Sequence, residues 1–220
     1  MLSVHSDMKG FLAVMLDLVP DLLAMPLACI VGEPSDMAPV RAHKGKRTIE
    51  VTLTGQPGHG SDPARGANAL YPAARLVLAV EALAARLCAQ GGFDADFDPP
   101  CSTVQAGVIR GGAAVNIIPD RATLLIEART IPDQSPDAVM GQVLAGLADL
   151  PPGVSAMHRV LAEYPALRPA LDAGLARRRA ALSGRAVAPA VSYGTEAGLF
   201  AAAGIASVIC GPGRIERASR

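Results

Sequence analysis

The sequence predicts an α/β chain in two parts. A ferredoxin-like β-α-β-β-α-β module over residues 45–163 is inserted into an α/β layer contributed by residues 1–44 and 164–220. Three observations predict it. Residues 46–54 and 121–130 alternate apolar and polar side chains with period two, the pattern of strands that bury one face. Two stretches with apolar residues at helical spacing fall between strand-like segments of the same module. The short apolar runs 28–31 and 206–210 lie outside it and lead into Gly-containing turns, which suits strands of a parallel sheet.

Taken in order, residues 10–23 read as a helix, kinked or ended near Pro20 by the fixed φ of that residue. The strand 28–31 runs into Gly32-Glu33-Pro34-Ser35-Asp36, a carboxylate-bearing turn at a strand end, where parallel sheets gather their sites. In 46–54, Ile49, Val51 and Leu53 share one face, and Thr48, Glu50, Thr52 and Thr54 share the other. Gly55, Pro57, Gly58 and Gly60 then interrupt the strand and free the backbone around His59. A lone histidine framed by glycines between strand and helix is expected to be exposed, either as a chemical group or as an ordinary loop residue.

The helix that opens after Pro63 carries Leu70, Ala73, Ala74, Val77 and Leu78 at helical spacing and runs to about residue 88. A polar loop over 91–100 precedes strands at 102–109 and 115–118, with the turn Arg110-Gly-Gly-Ala-Ala between them. In 121–130, Ala122, Leu124, Ile126 and Ala128 line one side. Ser135 caps a helix over 136–147, and a strand over 154–161 completes the module. Beyond it come a helix over 169–182, a strand over 187–191, the loop 192–198 leading into a short helix, and a strand over 206–210 followed by Gly211-Pro212-Gly213.

Composition narrows the function. Half of the 220 residues are apolar but only 3% are aromatic and none is Trp, so the core is Ala/Leu/Val packing with few side chains for stacking platforms. Basic and acidic residues balance to a formal charge of zero and no run of five basic residues occurs, which excludes nucleic-acid and acidic-membrane partners. The apolar stretch 11–23 is interrupted by Asp17 and Asp21, lacks a basic lead-in and is too short to span a bilayer, so a cytoplasmic location is expected. Cys29, Cys88, Cys101 and Cys210 are scattered without a CxxC pair, and Cys29 and Cys210 read as buried, reduced thiols.

Six short motifs occur in one order: Ser6-Asp7-Met-Lys-Gly10, Val31-Gly-Glu33-Pro-Ser35, Gly58-His59-Gly-Ser61, Val115-Asn116-Ile-Ile-Pro119-Asp120, Gly194-Thr195-Glu-Ala-Gly198 and Cys210-Gly-Pro-Gly213. In that order they resemble the zinc-dependent acetylornithine deacetylase and succinyl-diaminopimelate desuccinylase family, with the forms GEP, GTEAG and CGPG most similar to acetylornithine deacetylases. The resemblance implies a zinc-peptidase-like α/β catalytic domain carrying two zinc (or cobalt) ions, with an inserted ferredoxin-like lid that forms a homodimer. It implies hydrolysis of a small N-acyl amino acid, N-acetylornithine in arginine biosynthesis. It further implies that Asp7 bridges the metals, that Glu33 holds one of them, and that His59 reaches the partner's active site to stabilise the oxyanion. Asn116, Arg129, Gly194 and Thr195 match residues near the substrate's carboxylate end.

The chain also departs from that pattern. The family's H-x-D histidine precedes the position of Asp7 and is not in this sequence, and His5 matches nothing in the family. Ala24-Met-Pro-Leu27 stands where the family carries a strand and a Glu-Glu pair, one glutamate being the general base and the other a zinc ligand. Ser219 falls where the last metal histidine would be. A catalytic zinc takes three protein ligands plus water. With Asp7 and Glu33 alone, zinc binding is expected to be weak or absent and catalysis impaired. The alternatives to an enzyme are a non-catalytic dimerising module and a truncated gene product.

Overall fold

Residues 28–168 and 174–214 are described in the computed structural model. The helix expected over 10–23, together with His5, Asp7, Ser219 and the first turn of the helix expected at 169–182, lies outside the described residues. The chain divides into two compact units, one of residues 43–166 and 190–194, the other of residues 1–42, 167–189 and 195–220.

The larger unit is built on the alternation seen in the sequence. Strands β2 (Gly45–Thr54), β4 (Thr103–Gly111), β6 (Arg121–Thr130) and β7 (Ser155–Tyr164) form one sheet in the order β4-β6-β2-β7. All three pairings in it are antiparallel. Ile49, Val51 and Leu53 of β2 and Ala122, Leu124, Ile126 and Ala128 of β6 are all buried on one face. That face is covered by α1 (Leu70–Gln90) and α2 (Pro136–Ala145), which add Ala73, Leu76, Val80, Leu83, Leu87, Val139, Met140 and Val143 to the same core. The polar face of β2 and β6 carries Arg159–Glu50 and Lys46–Glu127–Arg129 ion pairs instead.

Helix α1 differs from its expected facing. Its buried stripe is Pro72, Ala73, Leu76, Val80, Leu83 and Leu87, while Leu78 is 62% exposed. In a helix of Ala, Leu and Val nearly all round, spacing does not single out one stripe, and the sheet beneath decides which side is covered. The helix also begins at Leu70 rather than directly after Pro63; a single 3-10 turn, Pro63–Arg65, comes first. Helix α2 starts where expected, with the Ser135 side chain accepting from the Asp137 amide. Inside it, a Cβ on Gly141 would meet nothing within 4 Å. Gly141→Ala is therefore expected to stabilise the protein by about 0.5–1 kcal/mol through the lost chain entropy of glycine in a helix, read as a raised denaturation midpoint at constant slope.

The segment expected as a strand at 115–118 does not join the main sheet. Only Ile117–Ile118 (β5) is extended, and it pairs with the two-residue strand β3 (Gly58–His59). In the smaller unit, β1 (Cys29–Pro34) and β8 (Ser207–Gly211) pair in parallel, as the two apolar runs predict. Val40 flanks β8 on its other side through the Val40–Ile209 amide pair. Helices α3 (Gly174–Ser183) and α4 (Ala197–Ala202) complete the described elements. The strand expected at 187–191 is absent: only isolated bridges at Ala188 and Val191 occur there. Pro189 between them has no N–H to donate to a ladder.

Candidate functional site

Within the larger unit the sequence-predicted residues fall into two groups. The first lies beyond the end of β2. Gly55 donates to the Asp120 carbonyl at 2.8 Å, and Gln56 and Ala67 exchange both backbone bonds, which turns the chain into β3. There His59 pairs with Ile117, and the Gly60 amide donates to the Asn116 carbonyl at 2.7 Å. His59 and Asn116 are thus neighbours, both exposed. The Ser61 amide, at 3.3 Å, donates to Nδ1 of His59, and the Ser61 hydroxyl lies 2.7 Å from the same nitrogen. With Nδ1 accepting, the neutral ring carries its proton on Nε2, the tautomer that offers a donor outward from the loop.

The second group is at the other end of the sheet. Arg129 donates through Nε to Glu127 Oε1 at 2.7 Å and through Nη1 to the Ser192 carbonyl at 3.2 Å. Lys46 Nζ sits 3.0 Å from the other oxygen of Glu127. Two cations sharing one carboxylate leave a local excess of positive charge suited to an anionic group. Burial works to raise the Glu127 carboxyl, and Lys46 and Arg129 outweigh it to hold the carboxyl below its usual range. A Cβ on Gly194 would lie 3.3 Å from both the Lys44 carbonyl and Lys46 Cβ, so the 192–194 segment lies against β2. Thr123 to Arg129 and their partners on β2 separate the groups. From Arg121, paired with Thr54 where β2 ends before the His59 turn, to Arg129, eight strand residues at ~3.3 Å per residue amount to roughly 25 Å.

In the smaller unit, Glu33 sits near the end of β1. The turn that follows is clamped by Asp36 N–Gly213 O at 2.6 Å and Met37 N–Gly211 O at 2.9 Å. Asp36 and Met37 adopt left-handed φ of 52° and 62°, conformations a non-glycine residue adopts at a local cost. Gly211 permits the approach, since a Cβ there would meet the Gly32 carbonyl at 2.5 Å. Burial and then the charge of Glu196 push the Glu33 carboxyl up. Thr195 is buried and its hydroxyl accepts from the Ala197 amide at 3.1 Å. Asp7 lies outside the described residues. Among the described residues no three of His, Cys, Asp and Glu come together to hold a metal ion.

Sequence reasoning did not single out several residues that shape these groups. Lys44 is buried, with Nζ donating to the Pro99 and Cys101 carbonyls at 2.7 Å each. His43 beside it is fully buried, its Nδ1 2.8 Å from the Lys44 carbonyl. Nothing local marks either residue; the acceptors of Lys44 come from the loop that ends at Cys101. Glu196 was within reach, as the acidic member of the Gly194–Gly198 motif.

A four-stranded antiparallel sheet in this order with two helices on one face is a ferredoxin-like fold. Residues 41–154 match the family described as Peptidase dimerisation domain, and the chain belongs to that family. Curated relatives carry the name acetylornithine deacetylase: one from Myxococcus xanthus is 38% identical over 189 residues, covering 84% of this chain and 49% of the relative. Another, from Edwardsiella ictaluri (strain 93-146), is 33% identical over 196 residues, covering 88% and 50%. The chain thus spans about half the length of the curated relatives it matches. Among solved structures, a Staphylococcus aureus tripeptidase aligns with TM-score 0.64 at 22% identity, covering 92% of this chain and 53% of that one. The aminopeptidase PepT of Bacillus cereus aligns with TM-score 0.66 at 18% identity over the same shares. These likenesses establish the mixed α/β peptidase fold. No helix among the described residues is long and apolar enough to cross a membrane.

Proposed function

We propose that the chain derives from a metal-dependent amidohydrolase of the acetylornithine deacetylase type, acting on a small N-acyl amino acid as a homodimer. The observation that carries this reading is the separation of the two groups in the larger unit. Arg129 with the 192–194 segment stands at one end of β6, and the turn leading to His59 and Asn116 leaves from the other, roughly 25 Å away at ~3.3 Å per residue, too far to touch one small substrate within a subunit. A second copy placing its His59 turn at the Arg129 end removes that difficulty. His59 then serves as the oxyanion donor through Nε2–H, Asn116 and the cationic Lys46–Arg129 pair hold the carboxylate end, and Glu33 with Asp7 are the metal-side carboxylates. When bound, the metal supplies an activated water; this chain's own residues bind and orient the substrate.

A second reading, a dimerising module without turnover, is supported by the match of residues 41–154 to the Peptidase dimerisation domain family. One experiment separates them. The full chain is purified, its sedimentation measured at tens of micromolar, its zinc content determined, and N-acetylornithine offered with added zinc or cobalt. We expect a dimer, less than one tightly held zinc per subunit and no measurable deacetylation, with His59→Ala indistinguishable from the parent. Metal-dependent turnover that His59→Ala reduces by ~10²–10³ would establish the full enzyme instead. A monomer at those concentrations would remove both readings.

A further inference from the structure

Lys44, the residue before β2, is a buried ammonium that the proposed chemistry leaves unused. Its Nζ donates to the Pro99 and Cys101 carbonyls at 2.7 Å each and lies 5.8 Å from the centre of the Phe97 ring. Burial is the main influence on this group and pushes it below the usual lysine range. Two carbonyl acceptors and an aromatic face offset that cost, which an apolar side chain filling the same space would not incur. What the ammonium adds over packing is direction, because it aims two carbonyls of one loop. That loop is otherwise closed on itself. Asp94 N donates to Pro100 O at 2.8 Å, Phe97 N to Asp94 O at 3.1 Å, and Asp96 N to Asp94 Oδ1 at 3.0 Å. The Asp98 carbonyl, next to the pair that Lys44 holds, accepts from the Ser192 hydroxyl at 2.6 Å. The Ser192 carbonyl in turn accepts from Arg129 Nη1 at 3.2 Å. The main chain of Lys44 reaches the same segment, its amide donating to the Val191 carbonyl at 3.2 Å. One residue thus holds 191–192 by two routes, its amide directly and its ammonium through the loop.

We propose that Lys44 is a positioning residue for the Arg129 anion site, its ammonium setting Asp98, then Ser192, and so the guanidinium in the pose that meets a carboxylate. The inference rests on the reading of Lys46 and Arg129 as the holders of the substrate's carboxylate end. Arg129 is fixed at two points, Nε on Glu127 and Nη1 on Ser192. Two points lock a planar group and leave its other N–H donors facing one way, which a bidentate acceptor requires. With the Ser192 bond misplaced, the guanidinium is held at Nε alone and turns about its Nε–Cζ bond. The carboxylate then has to fix that rotation itself, which weakens binding.

The test needs no turnover. Rotation of the Arg129 guanidinium is measured by NMR on the isotope-labelled full chain, from the averaging of its two Nη signals, and N-acetylornithine is titrated in as the probe carboxylate. Lys44→Met and Ser192→Ala are each expected to speed the rotation and weaken probe binding by about ten-fold, the loss of one hydrogen bond to a charged group. The double variant is expected to match the single ones, because both changes act on one chain of contacts, whereas a merely structural Lys44 would add its effect to that of Ser192→Ala. Should Lys44→Met fold poorly, Lys44→Gln, which keeps N–H donors without the charge, carries the same expected direction. Ser192→Ala alters only an exposed hydrogen bond and tests the last link whatever the Lys44 variants do. Unchanged rotation in the Lys44 or the Ser192 variant, or additive effects in the double variant, would overturn the proposal. If the probe leaves the parent's Arg129 signals unmoved, the anion reading falls instead, and the rotation rates still decide whether Lys44 positions the guanidinium.

Discussion

Acidification from pH 6.5 towards 4 is expected to cost the His43-containing unit about 3 kcal/mol. Burial pushes the His43 imidazole from its ordinary 6.5 down to about 4, against the opposing influence of its bond to the Lys44 carbonyl. In the unfolded chain the ring regains the ordinary value, so between the two the unfolded state binds more protons. Stability is then fully present above 6.5, falls with pH through that window and levels off near 4. A shift of about two and a half units at ~1.4 kcal/mol each gives the figure, a large share of the ~5–15 kcal/mol of a whole domain. Glu50 and Glu127 add acid sensitivity of their own, but only below their ordinary 4.5. Glu50 is lowered by its hydrogen bond from Arg159, and Glu127 by Lys46 and Arg129 against the effect of burial.

Amide hydrogen exchange at β2 reports on this unit directly. Protection factors at Ile49 and Val51, already corrected for intrinsic pH dependence, should fall by a factor of a few hundred (~3 kcal/mol) across the window. His43→Gln should flatten the profile. A flat profile in the parent would show that His43 stays solvated.

Gly55→Ala is the second large effect. A Cβ at this position would stand 1.9 Å from the Ala67 carbonyl oxygen and 3.3 Å from the Ala69 nitrogen, both backbone atoms that cannot swing aside. Relief requires opening the Gln56–Ala67 bridge, the turn that carries β2 into the His59 strand. The cost is expected at about 3 kcal/mol or more, the upper range of overpacking. Loss of protection should be greatest at Gly60, whose amide holds the Asn116 carbonyl. Gly107→Ala, where a Cβ would meet nothing within 4 Å, is the control and should change stability by less than ~0.5 kcal/mol. Equal stability of the two variants would mean that the turn relaxes around the methyl group.

What could be read from the sequence was local. The period-two faces of Ile49, Val51 and Leu53 and of Ala122 to Ala128 depend only on the pleat of their own strands. The Ser135 cap depends on one turn, and exposure of His59 on the glycines beside it. Those features, with six motifs in order, were enough for the inserted ferredoxin-like module and for the resemblance to the acetylornithine deacetylase family.

What the tertiary structure decided were relations between distant segments, which no local pattern encodes. The sheet chose the Leu76–Val80–Leu83 stripe of α1 over the Leu78 side. The β3–β5 pairing took 117–118 out of the main sheet, and Pro189 with its neighbours formed bridges in place of a strand. The loop 91–101 supplied the two carbonyls that hold the buried Lys44 ammonium. The register of β2 on β6 put Arg129 at one end of the strand pair and the turn that leads to His59 at the other. Each depends on which surfaces exclude water together, a property of the folded chain rather than of any stretch of it.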